Sequence, residues 1–535
     1  MKKKIRTKLG CLLLAVCSLP LSCNRLYAAD MDENKKTEIS FGYWDIDGMA
    51  GAQRPDGLTS YLEEKFNFTA QAKSFNWSSY KQQYQIMSTT GDLPDVFTTV
   101  LLSSSDADDT ATFNQMVESN AIRPLPEDLS EYPNLEALLS DYNDLRSSDG
   151  RRYAVPHPVF TEDILSSSDA ALIVRRDWME NLGLENPESI EDFIALTVAF
   201  AQSDPDGNGL DDTIGYNVNS LSALGKWVIL GIAPECNVYS WIESEDGSYL
   251  PSWLTEEFRD VVTIYRRLYE EGGLDPDFYA KNPSAVVDDF ISGRLGALEY
   301  KSSASALSEL EGLWNEKNDK PFADCVDILP IFPAEDGNRY SNSSNRFWSE
   351  TYISSSVTDE QLAIILSLMD YLLSDEGNGL YTLGIPGEDY TKDENGTLVT
   401  LLGDDEVSHI DSLREKYPSL DLWGNLANKG WGRESFEVTE TNCFLYGDAA
   451  ASLTKKALKD CEKNTIQVSR PYDFLTFPKE HASFDANAFD AFIQCIIGTG
   501  DALEMWDAAL DEMYEQGLSQ YIKEQNRLYQ QTKHS

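Results

Sequence analysis

The amino-terminal half of the chain alternates predicted strands with predicted helices, and this order constrains the fold more than any other feature. A strand is predicted at 38–44, a helix at 58–66 and a second strand at 68–75. A further unit of this kind begins with a strand at 171–175. Strands and helices in this order are typical of a parallel α/β sheet. With 535 residues, 41% of them hydrophobic, the chain is long enough for at least two such domains.

Aromatic and acidic side chains follow the predicted strands of the first unit. Ligands of open α/β sheets bind beyond the carboxyl ends of the strands, so a recognition surface is predicted at these positions. The candidate ligand-binding residues here are Tyr43, Trp44, Asp45, Asp47, Trp77 and Asp95.

Two later segments combine tryptophan with polar residues in the same way. Sugars present C–H faces that pack on aromatic rings, and their hydroxyls pair with carboxylates, amides and arginine. A tryptophan packs in a core more often than it binds a ligand, so each position is equally a candidate core residue. The further candidates are Arg346, Trp348, Glu350, Tyr352, Trp423 and Trp431.

The stretch 204–212 has the pattern of a cation-binding loop. Side-chain oxygens recur at alternate positions and two glycines permit tight turns, as calcium sites with six to eight oxygen ligands require. The predicted ligands of Ca²⁺ are Asp204, Asp206, Asn208, Leu210 through its carbonyl, and Asp212. An EF-hand would have glutamate at its twelfth position, where Gly215 stands, so a local structural role is predicted. An Asx-rich turn without metal is the alternative interpretation.

Residues 1–29 have the pattern of an export signal. A lysine-rich start precedes an apolar run too short to span a bilayer as a mature helix. Cys23 suggests a lipobox, in which this cysteine carries a lipid anchor, although Pro20 stands where leucine is usual. Ala28 offers an ordinary cleavage site instead. Residues 30–36 are predicted to form a polar tether.

Charge and cysteine content exclude several classes of function. Acidic residues number 90 and basic residues 43, and a surface of this sign repels phosphate backbones, so nucleic acid is excluded as a partner. Eight cysteines occur without a CxxC pair, so no zinc motif is present. The sequence also has no HExxH motif, nucleophile elbow or phosphate-binding loop.

Several segments together resemble family 1 extracellular solute-binding proteins, the substrate-capture lipoproteins of ABC importers. The resemblance implies an α/β, two-lobed periplasmic-binding-protein type II fold with a hinge and a ligand cleft between the lobes. It also implies calcium in the 204–212 loop, as in alginate-binding members, although Thr213 replaces a frequent glutamate. The matching segments are the signal with its possible lipobox, 91–96, 176–183, 204–212, 290–297, 373–377, 384–390 and the helices from 501 onward.

The predicted function is capture of an oligosaccharide for ABC permease subunits, by a monomer anchored to the membrane and without enzymatic chemistry. Peptide binding is the first alternative, and a secreted glycoside hydrolase with two catalytic carboxylates is the second. We expect the first lobe to comprise 37–155 and 325–400, and the second lobe 156–324 and 401–535.

Overall fold

The computed structural model describes most of the chain after the signal region. Cys23, Arg346 and Trp431 lie outside the described residues. In the part that the structure covers, no helix is long and apolar enough to cross a membrane. The described ranges are 36–103, 107–147, 149–158, 170–221, 224, 227–236, 238, 240–244, 246–342, 347–403, 408–429, 439–468 and 487–533.

The strands belong to two main sheets and three short pairs. In chain order they are β1 (Thr37–Trp44), β2 (Phe68–Phe75), β3 (Val96–Thr99), β4 (Ala154–Pro158), β5 (Ala171–Arg175), β6 (Ile214–Val218), β7 (Trp241–Glu243), β8 (Tyr249–Pro251), β9 (Leu295–Tyr300), β10 (Val326–Leu329), β11 (Tyr340–Asn342), β12 (Phe347–Ile353), β13 (Tyr390–Lys392), β14 (Leu398–Thr400) and β15 (Ile466–Val468).

The helices cover the sheets and form the carboxyl-terminal part of the chain. In chain order they are α1 (Asp47–Ala50), α2 (Gly57–Phe66), α3 (Tyr80–Thr90), α4 (Ala107–Glu118), α5 (Pro133–Ser140), α6 (Arg176–Leu182), α7 (Ile190–Gln202), α8 (Glu256–Glu270), α9 (Pro283–Ile291), α10 (Ala304–Lys317), α11 (Phe322–Cys325), α12 (Asp359–Leu372), α13 (Asp375–Thr382), α14 (His409–Lys416), α15 (Leu420–Leu426), α16 (Glu440–Tyr446), α17 (Asp448–Asn464), α18 (Ala488–Ile497), α19 (Ala502–Gln516) and α20 (Leu518–Lys533).

The first sheet has the strand order β2-β1-β3-β12-β4. Strands β1, β2 and β3 are parallel, whereas β12 runs antiparallel to both of its neighbours. Strand β4 therefore runs in the same direction as the first three. As a result, the carboxyl ends of β1 to β4 and the amino end of β12 lie along one edge of the sheet, which we call the carboxyl edge.

Local sequence explains why the chain turns where it does in this lobe. Asp56 caps α2 by accepting a hydrogen bond from the Thr59 amide at 2.8 Å, and Asn67 ends the helix in the left-handed conformation (φ 53°). Gly42 lets β1 approach its neighbours closely, because a Cβ there would lie 2.7 Å from the Pro94 ring and 2.8 Å from the Tyr84 hydroxyl. These features fix the position of the carboxyl end of β1.

The second sheet has the order β10-β5-β9-β6. Strands β6 and β9 are parallel, and β5 is antiparallel to β9 and to β10. The apolar side chains of α7 and α8, with those of α18 and α19, form a large core on this sheet around Phe193, Tyr216 and Trp506. The α/β prediction is thus confirmed for both sheets.

Two predicted lobe boundaries are wrong. Strand β10 was expected in the first lobe, but it pairs with β5 in the second sheet. The chain therefore returns to the first lobe only between β10 and β12. The segment after 400 was expected in the second lobe, but α14 and α15 contribute Leu413 and Leu422 to the core beneath β1 and β2. Passage to the second lobe follows α16, because α17 packs against α10 and β10.

Candidate ligand-binding site

Four aromatic rings meet at the carboxyl edge of the first sheet. Trp44 ends β1, Trp77 lies two residues beyond β2, Tyr80 begins α3 and Trp348 lies near the amino end of β12. The Trp44 ring centroid is 4.9 Å from that of Trp77, 5.3 Å from that of Tyr80 and 5.6 Å from that of Trp348. We call these four residues the aromatic platform.

The aromatic platform combines buried support with exposed ring surface. Tyr43, which is 3% exposed, stacks on Trp44 with centroids 4.3 Å apart, and Tyr80 is also 3% exposed. Trp77 is 50% exposed, whereas Trp44 and Trp348 are half-buried. Exposed tryptophan surface held by buried rings can stack on the apolar face of a ligand, because the rings are already ordered before binding.

Asp45 places a carboxylate beside two tryptophans of the platform. Its amide donates to the Phe75 carbonyl at 2.9 Å, and its Oδ1 lies 3.4 Å from the Trp77 amide nitrogen. The backbone of Asp45 is left-handed (φ 54°), a conformation that non-glycine residues adopt rarely and that recurs at functional sites. Asp45 and Asp47 are both exposed, and the contact with Trp77 places the Asp45 carboxylate beside the platform.

On β12, Trp348 is half-buried where the register with β4 shifts between Phe347 and Ser349, whereas Glu350 and Tyr352 follow two residues apart on one face of the strand. Glu350 and Tyr352 are both 0% exposed. Tyr352 packs against Phe97 with ring centroids 5.7 Å apart. Only Trp348 is accessible, so the structure removes Glu350 and Tyr352 from direct contact with a ligand.

Glu350 instead fastens the segment that follows β3. It accepts hydrogen bonds from the amides of Leu101 at 2.5 Å and Leu102 at 2.8 Å and from the Ser103 hydroxyl at 3.0 Å. The Ser103 hydroxyl also lies 2.9 Å from the Trp348 carbonyl oxygen. Burial raises the pKa of Glu350 to about 7, although these donors act in the opposite direction. Glu350 thus supports the position of Trp348 from behind.

Three residues beside this site were missed by the sequence analysis. Tyr80 completes the aromatic platform, and Lys81 forms an ion pair with Asp109, which is only 6% exposed. Burial, and then the charges of Asp109 and Glu350, raise the pKa of Tyr80, so its hydroxyl stays protonated. The sequence did contain a signal for Tyr80. It begins the helix that follows Trp77, and that helix starts at the same edge of the sheet where Trp44 and Trp77 lie.

Two predicted site residues lie elsewhere. Asp95 precedes β3 and therefore lies at its amino end, where it accepts hydrogen bonds from the Ser40 amide (2.7 Å) and hydroxyl (2.8 Å). Its predicted place beyond the carboxyl end is wrong. Trp423 is 0% exposed within the first core, and its indole nitrogen donates to the Thr59 hydroxyl at 3.0 Å. The prediction that Trp423 contacts a ligand is wrong, because α15 carries it inward.

His157 is buried beneath the platform. It is 0% exposed, and its ring nitrogens lie 2.6 Å from the Ser349 hydroxyl and 2.9 Å from the Thr351 hydroxyl. Burial lowers the pKa of His157 to about 3, so its ring is neutral at ordinary pH. A buried, neutral imidazole bonded to two hydroxyls holds β4 to β12 and is in no position to act as a catalytic base.

The 204–212 loop turns its carboxylates toward one another. The Asn208 side-chain nitrogen lies 2.8 Å from Asp206 Oδ2 and 3.2 Å from Asp212 Oδ1, and the Gly209 amide donates to Asp204 Oδ2 at 3.0 Å. Burial, followed by the charges of Asp204 and Asp212, raises the pKa of Asp206. The carboxylate oxygens of the loop thus accept hydrogen bonds from N–H groups at positions where a cation could bind them instead. Carboxylate and amide oxygens are the kind of ligand that calcium prefers.

In the present geometry the loop is not closed around a metal position. Across the described ranges, no group of three or more His, Cys, Asp or Glu side chains is arranged to hold a metal ion. Gly207 and Gly209 both have positive φ, of 72° and 79°, so the backbone follows the tight course that a wrapping loop needs. The loop precedes β6 and lies at the amino end of that strand.

Comparisons with known proteins agree with this fold. No protein-family model matches the chain. The chain is 26% identical to lipoprotein LipO of Bacillus subtilis (strain 168) over 546 aligned positions, which span 100% of both chains. It is 25% identical over 277 positions to the polygalacturonan/rhamnogalacturonan-binding protein YtcQ of the same organism, over 50% of this chain and 51% of the relative.

Solved structures show the same architecture. The substrate-binding protein FusA of a Streptococcus pneumoniae ABC transporter, in complex with kestose, aligns with TM-score 0.67 and 18% identity over 93% of this chain and 99% of its own. Alginate-binding protein AlgQ2, solved without calcium ion, gives TM-score 0.67 and 16% identity over 93% and 98%. An EF-hand mutant of FusA is a further structural neighbour.

These findings define the fold of the protein. The fold is the two-lobed α/β fold of the substrate-binding proteins of ABC transporters. The resemblance to extracellular solute-binding proteins that the sequence indicated is confirmed, and LipO is a relative over the whole length of the chain.

Proposed function

We propose that this protein is the extracellular substrate-binding component of an ABC import system, and that it captures an oligosaccharide and delivers it to a membrane permease. The observation that carries this proposal is the aromatic platform at the carboxyl edge of the first sheet. A structural neighbour was solved in complex with kestose, and a sequence relative is named a polygalacturonan/rhamnogalacturonan-binding protein. Exposed tryptophans beside carboxylates are what recognition of a sugar requires.

Binding would proceed by closure of the lobes on the ligand. The platform would hold one face of the sugar, and residues beyond the carboxyl ends of β6 and β9 in the second lobe would contact the other. A ligand that touches both lobes favours the closed form by its greater affinity for that form. The permease would then distinguish loaded from empty protein by shape, and the binding protein would act as a monomer without chemistry of its own.

Calcium would stabilise the second lobe through the 204–212 loop. Asp204, Asp206, Asn208 and Asp212 would supply side-chain oxygens, and Leu210 its carbonyl. The named calcium-free form of AlgQ2 and the EF-hand mutant of FusA support such a site in proteins of this fold. Because the loop lies at the amino end of β6, it would act on folding of the lobe and not on ligand contact.

Export with a lipid anchor on Cys23 is the proposed localisation. The full-length relative LipO is named a lipoprotein, which supports this assignment. Metabolic labelling with a fatty-acid analogue should mark the wild-type protein, and the Cys23→Ala variant should be unlabelled and released into the medium. If the Cys23→Ala variant were still labelled, Cys23 would not be the site of a lipid anchor.

A binding screen tests the proposed function. Calcium-loaded mature protein should be heated with neutral, uronic-acid and amino oligosaccharides and with cationic peptides, each near a hundred times its dissociation constant where solubility permits. A ligand at that level stabilises the fold by about 2.7 kcal/mol, a measurable rise in Tm. Calorimetry with stoichiometric heat and unchanged saccharide in chromatography would support capture. Hydrolysis products would favour a glycosidase, and a response to peptides alone would replace the sugar as ligand.

A further inference from the structure

We propose that the site, within the carbohydrate-capturing function given above, selects neutral oligosaccharides over those built from uronic acids, and that Asp45 makes this selection. The sequence places Asp45 only among several candidate ligand-binding residues. The structure gives it a particular position relative to the stacking surface, and that position has a consequence for the charge of the ligand.

Asp45 is held where two strands of the first sheet end. Its amide is tied to the Phe75 carbonyl at the end of β2, and its Oδ1 lies 3.4 Å from the amide nitrogen of Trp77. Trp44 precedes it directly, and its carboxylate lies against the backbone of Trp77, whose ring centroid is 4.9 Å from that of Trp44. The side chain is exposed. A sugar stacked on either ring would have Asp45 at its rim.

A carboxylate at the rim of a stacking surface distinguishes hydroxyls from carboxylates. It accepts hydrogen bonds only, and its two oxygens suit two neighbouring hydroxyl groups of one sugar ring. A uronic acid at the same place would bring a second negative charge close to the first. Two like charges that lie close together repel each other strongly in a partly desolvated site.

The charges nearest to Asp45 in the chain and beside Tyr80 agree with this preference. Asp47 is exposed on α1, two residues beyond Asp45. Lys81, which follows Tyr80, is paired with the buried carboxylate of Asp109 and so brings no net positive charge to the site. In the second lobe, Lys301 is exposed directly beyond β9, and its positive charge would oppose this selection if it reached the ligand.

The experiment compares pairs of saccharides that differ only in their carboxylates. Kestose, cellotriose and mannotriose are each paired with a form whose primary hydroxyls are oxidised to carboxylates, and trigalacturonate is paired with its methyl ester. In calorimetry, the neutral member of any pair that binds should bind about tenfold more tightly at low salt, and high salt should narrow the difference because it screens repulsion.

Substitution of Asp45 tests whether this residue causes the selection. Asp45→Asn keeps the size and the left-handed backbone, because asparagine adopts that conformation readily. The substitution should weaken the binding of neutral ligands several-fold. It should also lower the ratio of neutral-ligand affinity to acidic-ligand affinity by about threefold or more. Asp92→Asn removes the same charge from an exposed position before β3, at the opposite edge of the sheet, and should change neither value.

The outcomes separate this inference from the proposed function. Equal or tighter binding of the acidic member in the wild type would overturn the selection and would direct attention to Lys301 and Arg346. If Asp45→Asn left the ratio of neutral to acidic affinity unchanged, or if Asp92→Asn changed it equally, Asp45 would not be the cause of the selection. If no saccharide of any pair bound and the wider oligosaccharide screen were also silent, the carbohydrate function itself would fail.

Discussion

The indole rings of Trp44 and Trp348 meet edge to face, with centroids 5.6 Å apart and planes inclined by 68°. Trp44 ends β1 in the first passage of the chain, and Trp348 is the second residue of β12 in the second passage. Strand β3 lies between these two strands in the sheet. The rings therefore span the width of β3, and the aromatic platform exists only when both passages of the chain have folded together.

Trp77→Ala should weaken oligosaccharide binding about tenfold, equivalent to about 1.4 kcal/mol, without lowering Tm. The reason is that its ring is 50% exposed and supplies stacking surface more than core packing. Calorimetry with the ligand found by screening measures the change. Tyr514→Ala, at a position 45% exposed on α19, is the matched control and should bind normally. Equal affinity of Trp77→Ala and wild type would place the sugar away from the platform.

Gly42→Ala should destabilise the protein by about 1–3 kcal/mol, because the added methyl group would be forced against Pro94 and Tyr84. Chemical denaturation followed by tryptophan fluorescence measures this loss. Gly312→Ala makes the same substitution inside α10, where a Cβ meets open space, and should gain about 0.5–1 kcal/mol from helix propensity. A stable Gly42→Ala variant would show that β1 can shift away from its neighbours.

Glu350→Gln should alter the pH dependence of stability. The pKa of Glu350 in the folded protein, about 7, lies above its unfolded value of about 4.3. The stability that this group contributes is therefore fully present below about pH 4.3 and is lost as pH rises through 7. Relative to the glutamine variant, the wild type should lose up to about 3 kcal/mol between pH 5 and 8.

Denaturation of both proteins at several pH values provides the measurement. Glutamine keeps the shape and one acceptor oxygen, so the comparison isolates the titrating group from the other carboxylates of this acidic chain. A stability difference between the two proteins that stays constant across this range would contradict the assignment of a raised pKa to Glu350.

Calcium should raise the Tm of the wild type, and a chelator should reverse the rise. At a hundred times its dissociation constant the ion should add about 2.7 kcal/mol to stability. Asp206→Asn should reduce or abolish the response, because Asp206 lies between Asp204 and Asp212 in the loop. Asp211→Asn removes the same charge from a loop residue outside the proposed ligand set and should respond like the wild type. An identical response in both variants would exclude this loop as the site.

Much of the first lobe follows from sequence patterns. The predicted strand at 38–44 and helix at 58–66 agree with β1 (Thr37–Trp44) and α2 (Gly57–Phe66), because β-branched and aromatic residues, turn residues and a capping aspartate all act locally. The second predicted strand agrees with β2. Trp44 and Trp77 could be placed at the carboxyl edge for the same reason, since each follows a predictable strand.

Other residues depend on contacts that sequence spacing does not reveal. Trp423 lies in a segment rich in glycine and asparagine, yet tertiary packing turns α15 inward and buries its ring against Phe41. Asp95 was placed at the wrong end of its strand because a four-residue strand gives little signal of where it begins. The boundary near residue 325 failed because β10 pairs antiparallel with β5, and that pairing has no local signature.

The position of β12 also has a consequence for synthesis. This strand supplies the only described sheet partner of β4 and the second partner of β3, yet it is translated after the entire second sheet. A chain that has been synthesised only as far as β10 has an unpaired edge on β3 and a β4 without a neighbour. The first lobe therefore cannot complete its folding before β12 has been synthesised, when nearly two thirds of the chain already exists.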